Sequence, residues 1–179
     1  MRLFLAIELP DKVKSELDKQ LTDIKKQYPE FIWVTPENFH ITVHFFGELY
    51  SPEVIKKKVK DLLYDQEDFY LYSISLDVFA HQKLLMYLNF RREKKLESLA
   101  ALIKSNFAGP YDDHKFVPHL TIGRGRRSSK QQYFVLKKRV EKINIDISFK
   151  VTKIVLFESI LSGKKPVYKK LSVFPLIKN

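Results

Sequence analysis

Two histidines in the chain each precede a threonine by two positions. His40 and Thr42 lie in FHITVHFFG, and His119 and Thr121 lie in PHLTIGR. Because a strand has a side-chain period of two, the histidine and threonine of each pair face the same side, about 6.6 Å apart along the strand. Imidazole gives and takes protons near neutral pH, and a threonine hydroxyl donates hydrogen bonds to phosphate oxygens. The pattern predicts two half-sites for phosphate-ester chemistry.

Two such pairs match the needs of a phosphoryl transfer. The attacking and leaving oxygens lie roughly in line through phosphorus, so one group must remove a proton on one side while another supplies a proton on the other. Two opposed histidines fill both positions, each typically contributing about 10²–10⁴-fold in rate. The threonines then hold the non-bridging oxygens. We predict His40, His119, Thr42 and Thr121 as catalytic residues, and the spacing leaves the acid and base roles open.

A plainer interpretation treats each histidine as a half-buried strand residue with a local hydrogen bond. One His-x-Thr copy alone favours that interpretation, whereas two copies in matching contexts favour catalysis. No metal is predicted, since the chain has no cysteine and no glutamate stands at ligand spacing from either motif. His44, four residues after His40, would lie about 13 Å from it on a strand, too far to share a metal. Surface roles are expected for His81 and His114.

The two motifs end two segments of similar order. Each segment is predicted as strand, helix and strand: Leu3–Leu9, Asp11–Tyr28 and the His40 strand, then Leu84–Phe90, Arg92–Phe107 and the His119 strand. Apolar steps of three and four mark the helices, and β-branched and aromatic residues mark the strands. The offset between the helix ends equals that between the histidines. This predicts an internal duplication and an α+β, bilobal fold: two pseudo-symmetric lobes, each with a largely antiparallel sheet and flanking helices, around an active-site cleft.

The rest of the chain continues the mixed pattern. Further strands are predicted in LYSISLDVF, INIDISFKVTKIVLF and YKKLSVF, and a further helix in SPEVIKKKVKDLL. The stretch from Arg124 to Lys142 fits either a short helix or a mobile basic loop. No Gly/Ser-rich linker or low-complexity tract marks a boundary, so residues 1–179 are predicted to form a single domain.

Composition narrows the class of protein. The 179 residues are 45% hydrophobic and 30% charged, as in a globular chain. No apolar run approaches the roughly 18 residues that span a bilayer, and MRLFLAIELP lacks a small-residue cleavage site, so it is interpreted as a strand rather than a signal peptide. The absence of cysteine excludes disulfides and fits a cytoplasmic protein. The net charge of +11 suits a polyanionic partner, RNA or DNA, although a lysine-rich solvated surface would give the same value. We expect a monomer.

Candidate substrate-binding residues flank the motifs. Arg124, Arg126 and Arg127 follow the second motif directly and are predicted to track an RNA backbone; a solvated basic loop is the alternative. Trp33, the single tryptophan, lies just upstream of the first motif. It is predicted to stack on a terminal base, and packing in the core is the alternative.

The same residues resemble those of the 2H phosphoesterase superfamily, and most of all its bacterial and archaeal branch, called 2′-5′ RNA ligases and RNA 2′,3′-cyclic phosphodiesterases. The matching text is RLFLAIELP at the start, WVTPENFHITVHFFGEL around His40 and FVPHLTIGRGR around His119, which together span both halves of the chain. Trp33 and Gly47 fall where the family pattern has them. Phe46 departs mildly, since the family typically has leucine there.

The resemblance implies a bilobal α+β fold with both motifs in a central cleft. It implies hydrolysis of a terminal 2′,3′-cyclic phosphate on RNA to a 2′-phosphomonoester, without metal or cofactor, and the reverse reaction as 2′-5′ ligation to a 5′-hydroxyl. In that family the first histidine, here His40, is the proton donor and the second, here His119, is the proton acceptor. Two alternatives remain: a non-catalytic module that binds RNA ends, and an enzyme acting on 2′-5′ oligonucleotides or other small cyclic phosphates.

Overall fold

Helices are interspersed among strands along the described residues, which are 1–48, 51–80, 82–107, 115–162 and 165–179 of a computed structural model. The strands are β1 (Arg2–Glu8), β2 (Ile32–Trp33), β3 (His40–Glu48), β4 (Phe69–Ala80), β5 (Leu84–Phe90), β6 (His119–Gly125), β7 (Ser148–Val151), β8 (Lys153–Ser162) and β9 (Lys165–Pro175). The helices are α1 (Asp11–Gln20), α2 (Thr22–Gln27), α3 (Glu53–Leu62), α4 (Lys94–Phe107) and α5 (Lys130–Val140).

The strands found in the described residues form one sheet. Their order is β7-β4-β5-β6-β3-β1-β8-β9, with β2 paired to β6, and the neighbouring strands run antiparallel. Counted from the two edges inward, β9 and β7, β8 and β4, β1 and β5, and β3 and β6 occupy equivalent places. This is the order that a duplicated strand-helix-strand unit would give, and it places the two motif strands side by side at the centre. The prediction of helices with an antiparallel sheet is confirmed, and the two-lobed shape stays a prediction.

The main core lies on one face of the central strands. Ile41 and Val43 of β3 are buried, as are Leu120 and Ile122 of β6. They pack with the apolar sides of the helices, including Leu17, Ile24, Ile55, Val59, Leu99 and Ile103. Because successive strand residues point to opposite faces, the histidine and threonine of each motif lie on the face away from these helices.

β1 is buried on both faces. Leu5 and Ile7 belong to the helix-side core, whereas Phe4 belongs to a second, smaller cluster on the other face. In that cluster the ring centre of Phe4 lies 5.3 Å from that of Phe157 and 5.1 Å from that of Tyr168. This aromatic cluster lies beside the first motif.

Three elements differ in detail from the sequence predictions. The helix predicted over Asp11–Tyr28 is divided into α1 and α2 at Leu21, whose ψ of −4° leaves the helical range although its side chain stays fully buried. The ambiguous basic stretch contains a helix, α5, which begins with a capping box between Ser129 and Gln132. The long run INIDISFKVTKIVLF is two strands, because β7 pairs with β4 and β8 pairs with β1, so the chain changes partner at Thr152.

The helices are amphipathic and of moderate length. α4 has 14 residues and buries Leu96, Leu99 and Ile103 along one side. Within the described ranges, no helix combines the length and the apolar character needed to cross a membrane.

Candidate active site

The two motif strands meet at the centre of the sheet. β3 and β6 are antiparallel, with Ile41 opposite Leu120. In an antiparallel pair, the residue before one position lies opposite the residue after its partner. This register sets the histidine of each motif directly opposite the threonine of the other. The two histidines are then diagonal neighbours, and such neighbours lie about 7–8 Å apart. Both imidazoles are therefore within reach of a single phosphate group.

A cavity of about 440 Å³ opens over these side chains. We call it the histidine cleft. Its walls include both motifs, an adjoining set of aromatic rings and two cations: His40, Thr42, His119, Thr121, Trp33, Asn38, Phe45, Tyr168, Lys83 and Arg124. The volume lies within the range typical of small-ligand pockets. The structure thus brings together six of the eight site residues predicted from the sequence.

Both histidines are anchored in the same way. The Nδ1 atom of His40 lies 2.7 Å from the carbonyl oxygen of Asn38, and the Nδ1 atom of His119 lies 2.9 Å from that of Val117. A carbonyl oxygen only accepts hydrogen bonds, so Nδ1 donates in each case and keeps its hydrogen. Nε2 is then the nitrogen that exchanges a proton with a ligand, in both rings.

The surroundings of the two rings differ. The ring centre of His40 lies 5.1 Å from that of Phe4 and 5.0 Å from that of Tyr168, which meets it edge-on. The ring of His119 has Tyr87 edge-on at 5.6 Å, and its hydrogen bond to the Val117 carbonyl is exposed to solvent. His40 is therefore the more desolvated of the two imidazoles.

Burial holds the pKa of His40 below its ordinary value, and the positive charges of Arg124, His119 and Lys14 lower it further. The hydrogen bond to the Asn38 carbonyl acts in the opposite direction without reversing the shift. The neutral imidazole is therefore favoured when the cleft is empty. An anionic phosphate bound beside the ring would favour the protonated form, which is the form that a proton donor needs.

A carboxylate neighbours the first motif, but its negative charge is paired with two lysines. Glu8 lies opposite His40 in the register of β1 and β3. Its two oxygens accept from Lys14 at 2.9 Å and from Lys170 at 2.8 Å. Burial raises the pKa of Glu8, but the hydrogen bonds from Lys170 and Lys14 outweigh that effect and lower it. Glu8 is therefore an ionised partner of two lysines rather than a base for the cleft.

Trp33 lines the cleft from β2. Its indole N–H donates to the carbonyl of Tyr28 at 3.2 Å, and its ring lies against the backbone of Gly123. A Cβ built on Gly123 would come within 3.1 Å of that ring. The side chain is thus both a packing group and a cleft wall, and the base-stacking role predicted for it stays a prediction.

The three predicted arginines are divided between two cavities. Arg124 lies in the histidine cleft, opposite Ile32 of β2. Arg126 and Arg127 line a separate cavity of about 470 Å³, which we call the arginine cavity; its walls also include Tyr28, Glu30, Phe31, Leu84, Ser128, Gln131, Val135, Leu136 and Arg139. The separation arises because β6 ends at Gly125, after which the chain leaves the sheet and enters α5.

His44 does not share the face of the first motif. Between Thr42 and His44 the register of β3 against β1 shifts, with Ala6 opposite Thr42 and Leu5 opposite His44. Such a bulge turns the following side chain to the other face. The ring centre of His44 accordingly lies 6.3 Å from that of Phe107 in α4.

We searched the described part of the chain for side chains that could bind a metal ion. There, no three His, Cys, Asp or Glu side chains cluster in a way that could hold a metal ion. The predicted surface positions His81 and His114 lie outside the described residues.

Two residues of the histidine cleft gave no signal in the sequence. Tyr168 of β9 and Lys83, just before β5, both line it. Neither belongs to a short motif, and Tyr168 is far from both histidines along the chain. Only the sheet order and the aromatic cluster around Phe4 bring its ring to His40.

Known proteins resemble this chain over most of its length. A family model described as the 2'-5' RNA ligase superfamily matches residues 10–160. A protein from Methanocaldococcus jannaschii named RNA 2',3'-cyclic phosphodiesterase is 30% identical over 183 residues, covering 94% of this chain and 97% of that one. Proteins of the same name from Thermotoga maritima and Methanothermobacter thermautotrophicus are 28% and 26% identical, over 96% and 98% of this chain and 93% and 99% of their own.

Solved structures share the fold. Escherichia coli LigT complexed with 3'-AMP gives a TM-score of 0.76 at 22% identity, over 98% of this chain and 97% of that one. The protein TT0787 from Thermus thermophilus gives a TM-score of 0.75 at 22% identity, over 98% of both chains. At these identities the likeness shows the fold alone.

Proposed function

Because the chain belongs to the 2′-5′ RNA ligase superfamily, we propose that it is an RNA 2′,3′-cyclic phosphodiesterase that opens a terminal 2′,3′-cyclic phosphate to a 2′-phosphomonoester. Full-length similarity to archaeal and bacterial proteins of that name supports the proposal. The observation that carries it is the convergence of two imidazoles and two threonine hydroxyls on one face of β3 and β6, in one cleft.

The proposed reaction is an in-line displacement at phosphorus. His119 Nε2 takes a proton from water as the water oxygen forms its bond to phosphorus. The bond from phosphorus to the 3′-oxygen breaks, and His40 Nε2 gives its proton to that oxygen, so the phosphate stays on the 2′-oxygen. Thr42 and Thr121 donate hydrogen bonds to the non-bridging oxygens, where charge develops. The two rings then exchange protons with water and return to their starting states.

The anchoring of Nδ1 identifies Nε2 as the atom that transfers the proton in both rings. Each ring has its Nδ1 hydrogen committed to a backbone carbonyl, so only Nε2 changes its protonation during the cycle. The lowered pKa of His40 favours its neutral form, so the donor role requires the bound phosphate to favour the protonated form. By microscopic reversibility, the same groups would join a cyclic phosphate to a 5′-hydroxyl through a 2′-5′ linkage.

The proposal extends to the state of the protein. We infer that residues 1–179 act as one bilobal domain, as a monomer, in the cytoplasm. The absence of cysteine supports a reducing compartment, and the net charge of +11 supports an RNA substrate.

The test is a product assay on RNA that ends in a 2′,3′-cyclic phosphate, with identification of the oxygen that keeps the phosphate. His40→Ala and His119→Ala are each expected to lower kcat by about 10²-fold or more, because each removes one proton transfer. His44→Gln, on the other face of β3, is the matched control and is expected to retain turnover. Full activity in either alanine variant would refute the mechanism, and RNA binding by the wild type without any product would favour the non-catalytic module.

A further inference from the structure

A second basic cavity lies directly beside the histidine cleft. Consecutive residues of one segment divide between them, since Phe31 lines the arginine cavity whereas Ile32 and Trp33 line the histidine cleft. The same division occurs after the second motif, where Arg124 faces the cleft and Arg126 faces the arginine cavity. The lining residues therefore place the two cavities on either side of the segment from Phe31 to Trp33.

The arginine cavity carries positive charge that the described residues do not neutralise through ion pairs. Among the described residues, none forms an ion pair with Arg126, Arg127 or Arg139. Glu30 is the one carboxylate among the lining residues. By contrast, Lys137 in the same helix as Arg139 is paired with two carboxylates.

The walls of the cavity suit a nucleotide. Guanidinium groups present a planar array of donors that matches phosphate oxygens, and they also stack on bases. Phe31 and Leu84 give the cavity a buried apolar floor, and Tyr28 adds a half-buried ring beside it. The hydroxyl of Ser128, which also lines the cavity, is buried and receives no hydrogen-bond partner from the described residues.

The direction of the substrate connects the two cavities. A 2′,3′-cyclic phosphate occupies the 3′ end of an RNA, so a chain held there by the two motif histidines extends away in the 5′ direction. Arg124 lines the histidine cleft, and Arg126, two residues further along the chain, lines the arginine cavity. A single-stranded chain leaving past Arg124 meets Arg126 next.

We propose that the arginine cavity binds the RNA backbone 5′ of the cyclic end, so that the protein prefers oligonucleotides to cyclic mononucleotides. This inference rests on the proposed function of the histidine cleft. It assigns Arg126, Arg127 and Arg139 to the body of the substrate and leaves the reacting phosphate to the two motifs.

The experiment compares two substrates in each protein: a 2′,3′-cyclic mononucleotide, which reaches only the histidine cleft, and a short single-stranded RNA with the same cyclic end. The variants are Arg127→Gln and Arg139→Gln. Lys138→Gln is the matched control, because Lys138 is exposed, carries the same charge on the same helix and does not line the cavity.

Each arginine variant is expected to lower kcat/KM severalfold for the RNA, mainly through KM, while turnover of the mononucleotide stays at its wild-type rate. The slope of log KM against log salt should become shallower by about 0.7 for each phosphate contact removed. The Lys138→Gln control should keep both the wild-type slope and the wild-type ratio of the two substrates.

Other outcomes separate the two proposals. A wild type that hydrolyses the mononucleotide no less efficiently than the RNA, or arginine variants that behave like Lys138→Gln, would overturn the arginine cavity as an RNA site and leave the reaction standing. A wild type that hydrolyses neither substrate would overturn the proposed function. In that case, anisotropy binding of a labelled RNA ending in a 2′-phosphate still tests the cavity, and equal affinity in wild type and Arg139→Gln would overturn it. Loss of affinity for an acidic peptide rather than for RNA would assign the cavity to a protein partner and refute the inference.

Discussion

At the scale of single residues, the two catalytic candidates have matching hydrogen bonds and different environments. His40 is packed against the rings of Phe4 and Tyr168 and has a lowered pKa, whereas the hydrogen bond that anchors His119 is exposed to solvent. The desolvation that lowers the pKa of His40 also ties its protonation to folding, because the same imidazole is hydrated in the unfolded chain.

This coupling predicts a specific dependence of stability on pH. In the window just below 6.5, the ordinary pKa of histidine, the unfolded chain binds a proton at residue 40 that the folded protein does not. The contribution of His40 to the free energy of unfolding is therefore complete above that pH and is lost as the pH falls through the lowered pKa. Urea unfolding across this range should show a steeper decline for wild type than for His40→Gln. Equal slopes in the two proteins would contradict the shift.

At the scale of elements, the contact between β2 and β6 depends on two glycines of β6, Gly123 and Gly125. A Cβ at Gly125 would lie 2.9 Å from the Cζ atom of Phe31, and Phe31 is buried and lines the arginine cavity. We expect Gly125→Ala to displace that ring and to lower the free energy of unfolding by about 1–3 kcal/mol, measured by denaturant unfolding.

A double variant provides the control for this clash. Phe31→Leu removes the ring atoms that the new methyl group would meet, so Gly125→Ala with Phe31→Leu should cost less than the sum of the single changes. Additive costs would mean that the glycine is needed for another reason.

The elements also show where sequence reasoning succeeds and where it stops. Both motif strands could be predicted because alternation of apolar and polar residues is a local signal that the sheet obeys. The face of the sheet on which His44 lies could not be predicted, because a bulge shifts the alternation by one residue and leaves no sign in the local sequence pattern. The placement of Arg126 and Arg127 outside the histidine cleft could not be predicted for a similar reason. The run of basic residues continues past Gly125, but the strand ends there.

At the scale of the whole molecule, two four-stranded halves of the sheet join at the active site. β1 and β3 pair over seven positions and β5 and β6 over six, whereas β3 and β6 pair through Ile41 and Leu120. Both of these residues are fully buried beneath the motifs. Their packing sets the spacing of the strands that carry the two imidazoles.

Opening a cavity at this junction should therefore lower both catalytic rate and stability. Leu120→Ala is expected to lower the free energy of unfolding by about 2–5 kcal/mol and to lower kcat at a temperature where the protein is still folded. Leu71→Ala is the matched control, since Leu71 is equally buried in β4 but pairs with β7 at the far edge. It should lose comparable stability and keep most of its kcat, and equal kcat losses would contradict the role of the junction.

The acceptors that orient the two imidazoles belong to the main chain, at Asn38 and Val117. A peptide carbonyl exists whatever side chain its residue carries, so no point substitution at either position deletes the orienting group. Each motif thus orients its imidazole through a backbone carbonyl two residues earlier in the chain, and no distant carboxylate has to evolve alongside it. A copied strand would inherit a correctly poised ring at once, and doubling one gene segment would be enough to create both halves of a proton relay.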